Sequence, residues 1–518
     1  MRRTAAALVA VVALLSAPLG PAVGYADDRA SRAPEGVAGE AERALALAEE
    51  ALAGDADGDP PAGHVGHDQP EATIALRDLF RSLPQLEGAE RRRAERMLAR
   101  PTEGAQDPYG DGYRARSVKT CNGRICVHRV KRTRDRATAA WARRTLTTVD
   151  RVWSQQVGKM GYRRPLRDGR RGGNAKFDVY LADVGDQGLF GYCAPELTKP
   201  GNRRLASGYC VLDNDFARSQ YAAKPVHSLR VTAAHEFFHA VQFAYDYLED
   251  PWLMEATATW MEERFADAVN DNRRYLPQGQ VARPDIPLDY FDRSGTSQYG
   301  NWAFVEHLTQ RFGTGFVRKV WREAGNGPGD GRAWSTRALE AALPRSAPFA
   351  RTYLGFLAAN VVPARSYPEG KHWPSPRLAY DGSLGRNQGV ESDQGFRVRH
   401  LAGYVFRVRP ARTLDDRRWQ LRVRVDGPAR KTGPRATVVR RTASGALRRT
   451  SVALDGNGDG VVTVPFNRRQ TSRVWVVVAN TSTRFDCRGK YVTGYSCGGR
   501  SRDDDRRYAV TFRTTRSG

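Results

Sequence analysis

Ala233–Glu263 reads AAHEFFHAVQFAYDYLEDPWLMEATATWMEE. It carries His235, Glu236 and His239 in an apolar run, breaks at Pro251, and resumes in a second run that holds Glu255. An α-helix turns by about 100° per residue, so side chains four apart stand above one another on one face. His235 and His239 therefore present two imidazoles to one point, with Glu236 beside them. This is the HExxH arrangement: two nitrogen ligands for Zn2+ and a carboxylate able to take a proton from water.

A catalytic zinc takes three protein ligands and keeps one position open. In the metzincin pattern a third histidine follows closely, but Gln242 and Tyr245 stand at the corresponding positions. Glu255 is 16 residues beyond His239, enough for the chain to double back and bring a carboxylate to the metal. Glu249 in the turn, and Glu262 and Glu263 further along, are the other carboxylates in reach. Glu255 is preferred because it alone opens the returning helix. The competing reading is a core helix that happens to bear two histidines, which Phe237, Phe238, Val241 and Phe243 would suit. Burying Glu236 and two histidines without a charge partner would be costly, however, and a metal removes that cost.

The chain has 518 residues, enough for two or three domains. Met1–Asp28 reads MRRTAAALVAVVALLSAPLGPAVGYADD: a basic head, an apolar run and small residues, the pattern of a secretory signal peptide cut after Ala26 or Gly24. No later run is apolar enough to span a bilayer. Six cysteines fall as Cys121/Cys126, Cys193/Cys210 and Cys487/Cys497, which in an exported chain predicts three local disulfides. Secretion to the extracellular space is the expected localisation. Lys and Arg number 82 against 57 Asp and Glu, a net charge of +25. The arginines are dispersed and accompany no nucleic-acid motif, so a specific nucleic-acid role is not expected. A basic surface of this kind suits anionic cell-wall or surface polymers.

Residues 27–105 read as an N-terminal helical segment, a prosegment or a cap, with helical periodicity in Glu40–Gly54, Glu71–Leu83 and Gly88–Pro101. His64 and His67 lie in a polar loop between the first two. From 106 to 385 strand-like runs (Arg124–Lys131, Lys176–Val184, Ser207–Phe216) and a long amphipathic helix (Ala137–Gly161) precede the quoted stretch, the order of an α+β domain. From 386 to 518 alternating runs separated by turn residues predict a β-sandwich. Asp455–Gly460 (DGNGDG) opens like a calcium loop, but Phe466 stands where the bidentate Glu is needed, and a tight turn is preferred.

HEFFH followed by WLMEATATWMEE resembles the thermolysin/aminopeptidase superfamily of zinc peptidases, the gluzincins. FDVYL, GYCVLDNDF and YGNWAFVEHL are similar to secreted bacterial metalloproteases of that superfamily, over roughly Tyr109 to Gly325. The resemblance implies an α+β zincin-like metallopeptidase domain, with His235, His239 and Glu255 as zinc ligands and Glu236 as the base. It implies a downstream oxyanion donor, for which Tyr299 in SQYGNW is the candidate, and a substrate backbone held along the strand CVLDND. Asp246 and Thr259 are candidates to orient the ligands. The GAMEN-type strand of the aminopeptidases is absent, so an endopeptidase acting on protein or peptide is favoured. The alternative is a non-catalytic exported wall- or surface-binding protein with a structural zinc.

Overall fold

The computed structural model describes residues 37–53, 72–104, 112–325, 333–391, 395–487 and 493–517, all within one unit. The signal-like stretch and the loop histidines His64 and His67 lie outside the described residues. The chain is mixed α/β, with helices at its N-terminal end and sheets at its C-terminal end. Helices α1 (Val37–Ala53), α2 (Ala72–Ser82) and α3 (Gly88–Met97) come first. The third was expected to run to Pro101. It stops earlier, and Arg100 is buried in a cluster where its guanidinium donates to Asp168, Asp178 and Glu196.

Strands β1 (Ser117–Cys121), β2 (Ile125–Val130), β3 (Phe177–Ala182), β4 (Gly191–Lys199) and β5 (Asn202–Asp213) form one sheet in the order β1-β2-β3-β5-β4. The inner three run parallel and the two edges antiparallel to their neighbours. Every residue of β3 is buried, which accounts for its mostly apolar sequence, and its one charged residue, Asp178, is paired with Arg100 and His128. β4 was not foreseen. Pro195 interrupts its pattern, and an edge strand tolerates a missing donor on its open side. Helices α4 (Ala139–Trp153), α5 (Arg218–Tyr221), α6 (Pro225–Asp246) and α7 (Pro251–Ala266) follow the strands or interleave with them. The Thr138 hydroxyl caps α4 by accepting from the Trp141 N–H, 3.0 Å away. Pro225 and Pro251 sit in the first turns of α6 and α7, where a missing N–H costs nothing.

Phe177, Val179, Leu181 and Leu212 share a core with α4 and α6 on one face of the sheet. Tyr180, Tyr192, Tyr209 and Val211 share another with α1, α2 and α3 on the other face. Helices α8 (Ser297–Gly300), α9 (Trp302–Phe312), α10 (Gly315–Gly325), α11 (Ser335–Ala342) and α12 (Phe349–Ala359) complete the middle of the chain. No helix among the described residues is long and apolar enough to cross a membrane.

The C-terminal strands are β6 (Leu378–Leu384), β7 (Gly389–Glu391), β8 (Phe396–Val398), β9 (Ala402–Pro410), β10 (Trp419–Asp426) and β11 (Pro434–Thr442). They continue with β12 (Leu447–Val452), β13 (Asp459–Pro465), β14 (Thr471–Asn480), β15 (Phe485–Asp486), β16 (Arg500–Ser501) and β17 (Arg506–Arg516). One sheet runs β13-β10-β17-β7 with β8 also on β17, and the other runs β12-β11-β14-β9-β6. Val408, Val438 and Val476 of the second sheet enclose a common core with Leu421, Val423 and Phe512 of the first. β6 already belongs to this part, ahead of the 386 boundary expected from pattern alone. The three disulfides pair as spacing predicted: Cys121–Cys126, Cys193–Cys210 and Cys487–Cys497. At DGNGDG the Asp455 carboxylate accepts from the N–H groups of Asn457, Gly458 and Asp459, a turn closed on its own backbone.

The second sheet docks on the helical core through Val405, Val439, Trp475 and Val477. His400 lies buried at this junction, its Nε2 3.1 Å from Asp289 and its Nδ1 2.8 Å from Asp504. Burial opposes its charge, but the two carboxylates outweigh burial and raise its pKa to about 9. A folded pKa above the unfolded value of about 6.5 stabilises the fold fully below that value, and the contribution is lost as pH rises through the folded pKa. Urea unfolding should therefore show stability falling between pH about 6.5 and about 9 by up to roughly 3 kcal/mol, at about 1.4 kcal/mol per pH unit. His400→Asn should lack that fall.

Candidate metal centre

Helix α6 is buried on nearly every side from Ser228 to Asp246, as expected of a helix at the centre of a domain. Phe237 packs edge-on against Phe177 of β3, and Phe238 against Tyr162 and Trp321. The turn from α6 into α7 is fixed from several sides. Arg77 of α2 donates to the Glu249 carbonyl at 2.7 Å, and the Ser335 N–H to the Glu249 carboxylate at 2.8 Å. The Cys497 N–H donates to Asp250 at 2.8 Å. Because α7 starts at Pro251, Glu255 lies just past the first turn rather than within it.

One ligand atom each of His235, His239 and Glu255 lies within 4.8 Å of the others, and all three residues are buried. His235 Nε2 is 3.2 Å from Glu255 Oε2, and His239 Nε2 is 3.6 Å from Glu255 Oε1. The outer nitrogens are engaged. His235 Nδ1 lies 2.8 Å from Glu262 Oε1, and His239 Nδ1 lies 2.8 Å from Gln242 Oε1. Gln242 donates its own NH2 to the Met254 carbonyl and the Thr257 hydroxyl, so its carbonyl oxygen must be the atom that faces His239. His239 Nδ1 then carries the hydrogen, and Nε2 is left with a bare lone pair. Glu262, an acceptor when ionised, selects the same tautomer at His235.

Those bare atoms are what a metal site requires. His239 Nε2 and Glu255 Oε1 are buried without a hydrogen-bond partner. An orphaned buried acceptor is costly, and two facing each other leave room for a cation. Burial works to raise the pKa of Glu255, but His239 and His235 outweigh it and hold it at about 2. Burial likewise opposes charge on His235, yet Glu255 and Glu262 keep its pKa well above the usual range. A divalent ion would replace the protons that otherwise balance this cluster. Two nitrogens and a carboxylate oxygen form a donor set that fits zinc.

The remaining candidates divide. Glu236 is buried beside the triad, and its Oε2 accepts from the Thr73 hydroxyl at 3.1 Å. Burial raises its pKa against the pull of His235 and His239. The Tyr299 ring lies 6.0 Å from that of His235 and stacks on Tyr275. Of the carboxylates weighed against Glu255, Glu249 accepts from the N–H groups of Asp250 and Ser335, Glu263 accepts from Asn272, and Glu262 supports His235 from outside. Asp246 does not orient a ligand. It pairs with Arg204 and accepts from the Leu248 N–H. Thr259 has no hydrogen-bond partner for its hydroxyl. The CVLD of CVLDND ends β5, which has neighbours on both sides, so the open edge beside α6 is β4 instead. A second group, Glu263, Asp267 and Glu369, could also hold a cation, but Asn272 and Arg273 already engage two of its members.

Sequence reasoning missed three contributors. Gln242 was read only as the absence of a ligand, although a Gln three residues past a ligand histidine can reach its Nδ1. Glu262 was weighed as a ligand rather than as support for one. Thr73 is 163 positions from Glu236 and carries no local signal.

No protein-family model matches the sequence, and no curated protein matches it. Among solved structures, the chain is compared with a family GH115 4-O-methyl-α-glucuronidase with specificity for decorated arabinogalactans, at a TM-score of 0.15 and 8% identity. The match covers 69% of this chain and 54% of that one, so the chain spans about half the length of that enzyme. A likeness this slight carries no argument for fold or chemistry.

Glu262→Ala is expected to fold normally and to weaken binding of a divalent ion by about 10–100-fold, the usual effect of losing an outer partner. Glu255→Ala should weaken it further. Competition against a chromophoric chelator measures both.

Proposed function

We propose that this protein is a secreted zinc-dependent metallopeptidase of gluzincin type, an endopeptidase with His235, His239 and Glu255 as metal ligands. The observation that carries this reading is the pair of facing, buried atoms His239 Nε2 and Glu255 Oε1, neither with a hydrogen-bond partner, beside His235 Nε2. Zinc held there would polarise a peptide carbonyl and bring the pKa of a water towards neutrality. Glu236, pushed upward by burial, is suited to take a proton from the attacking water and return it to the leaving amine. Tyr299, close to His235, is the candidate to donate its O–H to the carbonyl oxygen as charge develops. Strand β4 offers an open edge along which an extended peptide backbone can lie as an added strand.

A structural zinc is closed by four protein ligands, whereas this group numbers three, the count of a site with an open position. Every described cysteine is spent in a disulfide, so none is free to complete a closed site. This favours the enzyme over the binding-module alternative. The signal-like N-terminus and the disulfides support export into an oxidising compartment.

Glu236→Gln should keep its zinc and lose on the order of 10²–10⁴ in the rate of cleaving a denatured protein library. Chelation of the wild type should abolish cleavage, and added zinc should restore it. A chain that binds one zinc tightly yet cleaves nothing even when a substitution in the N-terminal helices has opened the centre would replace this reading with the binding module.

A further inference from the structure

The candidate centre is sealed. His235 is 6%, Glu236 5%, His239 0% and Glu255 0% exposed, so a peptide can reach them only if something moves. The element standing in the way is α2. Its Thr73 hydroxyl donates to Glu236 Oε2 at 3.1 Å and accepts from the Cys193 N–H of β4 at 3.0 Å. One side chain thus occupies both the base and a main-chain donor on the sheet's open edge, two groups a bound peptide would need.

We infer that α2 is a built-in plug that holds the centre closed, an inference that rests on the peptidase reading above. α2 buries Ala72, Ala75, Leu76 and Leu79 against the sheet, as a core-covering helix does, but its side towards α6 is polar. Here a hydroxyl is placed between two polar partners, with Ile74 beside it entering the main core. Two contacts aim the plug. Arg77 Nη1 lies 2.7 Å from the Glu249 carbonyl and 3.3 Å from Met254 Sδ, so α2 grips the turn and helix that deliver Glu255. Phe80 packs edge-on against Tyr247 at 5.7 Å.

The surroundings suit a part that moves on a fixed anchor. α1, α2 and α3 together cover the tyrosine-rich face of the sheet, and Arg100 pins the end of the segment among Asp168, Asp178 and Glu196. A cleft separates Leu47, Ile74 and Ala75 from Phe291 and Ser294. Substrate access therefore requires α2 to shift while the anchored end stays in place.

The test uses the full-length chain loaded with Co2+, whose visible spectrum reports binding of acetohydroxamate to the metal independently of catalysis. Ile74→Asp places an unpaired carboxylate in the core and should expel α2, increasing probe access and peptide cleavage by at least about tenfold. A peptide spanning residues 71–83, added in trans, should reverse both effects. Arg77→Ala, which removes the grip on the turn together with the pairing to Asp78, is the milder variant and should raise both readouts by a smaller factor if Ile74→Asp does not fold. Probe access that rises without any cleavage would uphold the plug and sink the peptidase reading. Folded Ile74→Asp or Arg77→Ala chains with the wild type's probe access would overturn the plug.

Discussion

Everything in this molecule's candidate chemistry depends on two imidazoles being held by their outer nitrogens with their inner nitrogens turned towards Glu255. Glu262 and Gln242 impose that state, each from 2.8 Å. Gln242 can do so only because α7 supplies acceptors for its amide hydrogens, so the tautomer of a histidine on one helix is fixed by the backbone of the next. With Glu255 pressed between the inner nitrogens, 3.2 Å from His235 and 3.6 Å from His239, the result is a buried cluster of ligand atoms. Such a pocket is costly unless protons or a cation fill it.

The rest of the fold keeps the two helices in register. Prolines start both of them, and the connecting turn is tied to α2, to Ser335 and to Cys497 near the C-terminus. The C-terminal sheets thereby reach the centre without supplying a ligand. Their contribution is to hold Asp250 and, through His400 and Asp289, the segment that leads towards Tyr299. A disulfide between Cys487 and Cys497 closes the loop that makes the contact with Asp250.

How much was legible in the sequence follows from the range of each interaction. The triad was readable because helical spacing sets the two histidines and a proline break sets the return of Glu255. The alternating C-terminal runs could be read for the same reason: each is a local pattern against one core. β4 escaped because Pro195 disguises an edge strand. β12 escaped because its exposed Arg448, Arg449, Thr450 and Ser451 bury almost nothing. Asp246 was assigned to the wrong partner because Arg204, 42 residues earlier, outbids any ligand for its carboxylate. Thr73 was beyond reach altogether, since nothing local marks a hydroxyl in a short helix as the neighbour of a distant glutamate.

The N-terminal helices, whose role the sequence left open between prosegment and cap, share a core with the sheet on one side and touch the base of the candidate site on the other. Those two contacts differ in kind, one apolar and extensive, the other polar and confined to a single residue. The first explains why the segment is part of the fold, and the second why it bears on access to the site. The most direct measurement is anomalous diffraction at the zinc edge from crystals of the full chain grown with the metal. The account predicts one peak about 2.0–2.2 Å from His235 Nε2, His239 Nε2 and a Glu255 oxygen. A peak only at Glu263, Asp267 and Glu369, or none at all with the triad side chains turned apart, would contradict it.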